Sequence, residues 1–139
     1  MLSVLAPGRP VLGVHPETWL HAQAERLFVS AITVMEIEQG IGKLRRAGGT
    51  ERADRLTAWL DGVLAFYGDR VLAVDTTVAR IAGTLSDQAF AVGRHPGLAD
   101  IVIAATALAH DLVVVTENAK HFEPLGVEFA DLANVTNID

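Results

Sequence analysis

The chain has 139 residues, no cysteine and a formal net charge of −6, with 50% of its residues hydrophobic and 20% charged. That suits one globular domain with a real core, and excludes a disulfide framework, thiol chemistry and thiolate-bound zinc. The acidic balance exerts no global pull on nucleic acid or anionic membrane, so any nucleic-acid contact must be a local patch.

No apolar run reaches the length of a membrane span, and no basic region followed by a long apolar segment opens the chain. The expectation is a cytoplasmic domain that makes no membrane contact. Pro7-Gly8-Arg9-Pro10 reads as a turn, and 17–23 as a short helix with Pro16 suited to its first turn. Leu27-Phe28-Val29-Ser30 is a short apolar strand. A helix over 32–46 follows, with Val34, Ile37, Ile41 and Leu44 as its apolar stripe. Gly48-Gly49 ends it, and a second helix spans 50–67 with Ala53, Leu56, Leu60 and Val63 on one face. Residues 71–74 form the next strand. Asp75 then caps a helix running to 92, with Val78, Ala82, Leu85 and Ala89 inward.

Residues 98–109 form a helix that is apolar nearly all round, which marks it as buried. Residues 112–115 form an apolar strand, 126–129 a further short one, and 130–139 a fraying tail. Short strands apolar on both faces and separated by helices belong to a parallel sheet covered by helices. The architecture is therefore one α/β three-layer domain over 1–139, a central parallel sheet flanked by helices.

Asp100 sits in the first turn of the buried helix with Ile103 and Ala104 as its helical neighbours, so its charge needs a partner from outside that helix. In a parallel sheet, sites gather at the carboxyl ends of the strands. Glu36, in the helix after strand 27–30, falls there. So do Thr116 and Asn118, just past strand 112–115. Carboxylates converging with an amide or hydroxyl suit Mg²⁺ or Mn²⁺.

Each residue also has a plainer role. Asp100 could complement the helix dipole, Glu36 could be solvated like Glu38, and Asn118 could be a turn residue. Helical angles place Glu38 nearer the apolar stripe, but Thr33 and Gly40 share the side of Glu36, and the glycine leaves open space beside it. His95, His110 and His121 lack metal-ligand spacing and read as surface or loop residues. Lys43, Arg45, Arg46, Arg52 and Arg55 form a basic cluster, either a solvated face or a phosphate-contacting rim.

The segments LFVSAITVMEIEQGI around Glu36, VLAVD ending at Asp75, GLADIVIAATALAHDLVVVTEN around Asp100, and His121-Phe122 together resemble PIN-domain toxins of the VapC/FitB type. The resemblance covers most of the chain. It implies a Mg²⁺- or Mn²⁺-dependent endoribonuclease that hydrolyses RNA, is dimeric, and is restrained by a cognate VapB-like antitoxin. It casts Glu36, Asp100 and Asn118 as catalytic residues, with Asp100 and Glu36 holding metal. Thr33 and Thr116 would be supporting polar groups, and Arg45 and Arg46 would contact RNA. His121 stands where many members of the family have an aspartate.

One departure is large. Such proteins begin with a hydrophobic strand running into Asp-Thr-Asn-Val and then Leu-Ser, whereas this chain begins Met1-Leu2-Ser3. The family's first strand and first aspartate thus lack counterparts, through a misplaced start or through degeneration. The expectation is a half-open core, weak metal binding through Glu36 and Asp100 alone, and poor activity. A binding module that engages an antitoxin or sister subunit without catalysis is the alternative. A phosphohydrolase of the haloacid dehalogenase type would need an aspartate nucleophile ending the first strand, and none is present.

Overall fold

The computed structural model describes residues 3–8 and 20–132. Residues 17–19 of the expected helix over 17–23, and the tail beyond 132, lie outside the described residues. The strands are β1 (Val4–Ala6), β2 (Val29–Ser30), β3 (Val71–Leu72), β4 (Val113–Thr116) and β5 (Phe129–Asp131). The helices are α1 (Ala31–Arg46), α2 (Thr50–Tyr67), α3 (Thr76–Ala91), α4 (Leu98–His110) and the single turn α5 (Ala119–Phe122).

β2 pairs with β3, and β4 with β5, both in parallel. Between these pairs lies β1, antiparallel to β4, with Leu5 opposite Val114. On its other side Leu5 exchanges two backbone hydrogen bonds with Phe28, at 2.9 and 2.8 Å. The spatial order is therefore β3-β2-β1-β4-β5, with one reversed strand in the middle.

This corrects the expectation of a half-open core. Val4, Leu5 and Ala6 are all buried, and Leu5 is fully so. The central slot is filled, its backbone groups are paired, and the sheet is mixed rather than wholly parallel. Sequence period could not reveal this, because a three-residue apolar run carries no direction.

Alternation along β1 divides the core. Leu5 and Val114 face a cluster built from α3 and α4, with Val78, Ile101, Ala104 and Phe122 among its members. Val4, Ala6 and Val115 face the other side, against Leu27 and Leu132. A satellite core of Ile41, Ala53 and Leu60 holds α1 to α2.

The helices form where capping and pattern direct. Ser30 caps α1, its hydroxyl accepting from the Ile32 N–H at 3.3 Å. Gly68, at positive φ, ends α2. Asp75 caps α3 by accepting from the Val78 N–H at 2.9 Å, and all four residues expected inward are buried. β5 begins later than expected: a 3-10 turn over Glu123–Leu125 closes on Gly126, at φ 63°, and the chain enters the sheet only at Phe129. Ala130 and Asp131 thus belong to the sheet rather than to a tail.

Candidate active site

The carboxyl ends of the four mutually parallel strands share one edge of the sheet, and the amino end of β1 meets them there. Ser30 leads from β2 directly into α1, so Glu36 stands in the second turn above that edge. Thr33 and Gly40 line the same cleft as Glu36, together with Arg52 and Trp59 of α2. The cleft measures about 550 Å³. A Cβ at Gly40 would meet nothing within 4 Å, so the space beside Glu36 is open. Thr33 is buried, and its hydroxyl has no hydrogen-bond partner.

Burial and then the nearby Asp100 charge raise the Glu36 carboxyl above its ordinary 4.5. Glu36 and Asp100 therefore act on one another across the edge. This separates Glu36 from Glu38, which the helical period alone could not do.

Asp100 lies in the first turn of α4, its side chain 23% exposed. Its external partner is His121, whose Nδ1 lies 3.1 Å from Asp100 Oδ2. Sequence reasoning had set His121 among the surface histidines. The one signal toward it lies in the resemblance, which sets His121 at a site-lining position of the family. Arg94, His95, Lys120 and His121 line one cavity of about 470 Å³ with Asp100.

The loop after β4 positions this corner. Thr116 is fully buried. Its Oγ1 accepts from the Ser3 hydroxyl and from the Asn118 N–H, both at 2.9 Å. The Asn118 carbonyl in turn accepts from the His121 N–H at 2.9 Å. Phe122, fully buried, anchors α5. Thr116 is thus a positioning residue for the turn that carries Asn118 and His121.

The basic residues separate into two groups. Arg45 is paired with Asp54 at 2.8 Å, and both it and Arg46 sit in the last turn of α1, well beyond Glu36. Arg52 lines the Glu36 cleft, while Arg94 and Lys120 flank Asp100. Among the described residues, no group of three or more His, Asp or Glu is arranged to hold a metal ion. A hydrated Mg²⁺ or Mn²⁺ keeps several waters and needs only one or two carboxylates, a minimum that Glu36 and Asp100, near enough for one charge to act on the other, supply. Neutralising them would relieve the repulsion that raises Glu36. Among the described residues, no helix is long and apolar enough to cross a membrane.

An α/β sheet with acidic side chains gathered at its carboxyl edge is the arrangement of a PIN domain, and the PIN-domain family model matches residues 14–125, so the chain belongs to that family. Its relatives are toxins and plasmid-stability proteins. It is 36% identical over 123 residues to VapC ribonuclease Y4jK of Sinorhizobium fredii, covering 88% of this chain and 83% of that one. It is 31% identical over 117 residues to Toxin FitB of Neisseria gonorrhoeae, covering 84% and 83%. The crystal structure of FitAcB from Neisseria gonorrhoeae matches with a TM-score of 0.72 at 28% identity, covering 84% of each chain. DNA-bound VapBC from Salmonella typhimurium also matches at 0.72 and 28%, covering 85% of this chain and 84% of that one.

Proposed function

We propose that this PIN domain is a divalent-metal-dependent endoribonuclease, the toxin half of a toxin–antitoxin pair. What supports the reading is the placement of Glu36 in the second turn of α1 and Asp100 in the first turn of α4, near enough that the Asp100 charge adds to burial in raising the Glu36 carboxyl. The name of one relative, a VapC ribonuclease, supports the reaction class, and the match to the FitAcB and VapBC structures supports pairing with an antitoxin.

Asp100 and Glu36 would hold Mg²⁺ or Mn²⁺ between them. A bound dication supplies polarised water and charge neutralisation at the scissile phosphate. The side chains do the rest. His121 fixes the Asp100 carboxylate from one side. Thr116 accepts from the Asn118 backbone N–H, so the turn that carries Asn118 has little freedom. Arg52 on one flank, with Arg94 and Lys120 on the other, supplies local positive charge for RNA phosphates on an acidic protein. Arg45 and Arg46 would form an outer rim of that track.

The test is cleavage of RNA with added Mg²⁺ or Mn²⁺, with a chelator, and with Asp100→Asn. Metal-dependent cleavage that falls on the order of a hundredfold in the variant supports the reading. Equal cleavage by the variant would sink it.

A second reading is a binding module that engages an antitoxin or sister subunit without catalysis. It is favoured by the lack of a third ligand among the described residues. Co-purification with a small neighbouring-gene product, with no cleavage under any metal, separates the two.

A further inference from the structure

We propose that the cleft between α1 and α2 is a nucleobase subsite, in which an unpaired base of the RNA stacks on the Trp59 indole while Arg52 holds a neighbouring phosphate. The inference rests on the reading of the domain as a ribonuclease, and says how the substrate is gripped beside Glu36.

Placement is the first argument. α1 and α2 form a hairpin about Ala47–Gly49, and Ile37 and Trp59 are equally far from Gly48 along the chain. Residues so related stand at about one level of a helical hairpin. Trp59 therefore lies beside the turn of α1 that carries Glu36, and both line the cleft of about 550 Å³. Arg52 lines it too, about two turns or ~10 Å back along α2. Carboxylate, indole and guanidinium are thus strung along one cleft.

Exposure is the second. Tryptophan is highly buried on average. Trp59 is nevertheless 44% exposed, while Leu60 beside it is 1% exposed and fills the satellite core. Across the cleft Gly40 contributes no side chain, and a Cβ there would meet nothing within 4 Å. Room for a flat group is left beside the indole.

Chemistry is the third. A base brings a π-face that stacks on indole, with polar edges and a phosphate beside it. The cleft answers each, with Ile37 and Leu56 as apolar wall and with Glu36, Arg52 and the partnerless Thr33 hydroxyl as polar groups. A purely apolar partner segment would cover those polar groups without pairing them, which is costly. On a chain of net charge −6, a guanidinium in the cleft marks where an anionic strand is received.

The test uses the full-length protein and short single-stranded RNAs carrying 2-aminopurine at each position in turn, titrated under chelator so that no cleavage intervenes. Stacking should quench the probe at a defined position. Trp59→Leu keeps apolar bulk but loses the π-face, so it should abolish the quenching and weaken RNA binding about tenfold. Trp59→Phe should retain most of both. Gly40→Leu fills the space across from the indole and should lose both as Trp59→Leu does. Met35→Ala, exposed on α1 and not among the lining residues, should change neither. In cleavage with Mn²⁺, Trp59→Leu should raise KM about tenfold and leave kcat within about twofold. Circular dichroism of each variant confirms the fold.

The proposal is overturned if Trp59→Leu and Gly40→Leu bind RNA as the wild type does, or if no position is quenched. The cleft then belongs to a protein segment. The ribonuclease reading fails separately, if the wild type cleaves no RNA with Mg²⁺ or Mn²⁺. Quenching that is present without metal and lost in Trp59→Leu would still support the subsite.

Discussion

Ser3 donates its hydroxyl proton to Thr116 at 2.9 Å, joining the start of β1 to the end of β4 in a fully buried contact. Thr116 also accepts from the Asn118 N–H, so the link bears on the candidate site as well as on the sheet. Ser3→Ala should cost about 1 kcal/mol. Thr116→Val should cost more, because it strips the acceptor from two donors at once. Urea denaturation of the two variants checks the order. Equal destabilisation would show that the Asn118 turn is held by something other than Thr116.

Glu36 supplies a pH dependence whose sign follows from its raised value. The native state holds the Glu36 proton more tightly than the unfolded chain does. Its contribution to stability is therefore fully present below 4.5 and is lost as pH rises through the higher folded value. Glu36 is largely exposed, so solvent screening keeps the effect to on the order of a few tenths of a kcal/mol. Glu36→Gln should flatten that part of the profile, making the variant the more stable partner near neutrality. Paired denaturation curves across acid and neutral pH test this. A variant less stable than the wild type at neutral pH would contradict it.

Phe122→Ala should be severe. Emptying a fully buried aromatic site costs about 3–5 kcal/mol. The loss also frees α5, so His121 should leave Asp100. Leu is the milder replacement and should keep the fold while weakening metal affinity. Thermal melts and metal titration of Phe122→Leu separate lost packing from lost positioning.

The two groups of arginines make opposite predictions for RNA. Arg45 is engaged by Asp54, whereas Arg52 lines the Glu36 cleft. Arg52→Ala should weaken RNA binding several-fold and reduce the salt slope by about 0.7, the value for one single-strand phosphate contact. Arg45→Ala should change neither appreciably. Fluorescence anisotropy with labelled RNA over a salt series reads both. A larger loss for Arg45→Ala would move the RNA track to the far end of α1.

Local signals made the helices legible. α2 spans the expected 50–67 between Gly49 and Gly68, Asp75 caps α3, and the four inward residues of α3 follow from simple period. The need of Asp100 for an outside partner was also legible, because a carboxylate on an apolar helix is costly wherever the helix packs. Its partner was not. His121 is brought to it by α5 folding back over the end of β4, which no helical or strand period encodes. The reversed β1 was hidden for a related reason. Direction in a sheet is set by what the neighbouring strands leave open, and Val4–Ala6 reads the same either way.

That reversal has a practical side for anyone who purifies the protein. Because β1 runs against its neighbours, the chain enters the sheet at Ser3, on the edge where Thr116 and the carboxylates lie. Anything fused ahead of Ser3 is delivered toward the mouth of the cleft. A polyhistidine tag placed there would offer the carboxylates imidazoles from outside the domain. Ion titrations should follow removal of the tag, or the affinity read will belong to the handle and not to the domain.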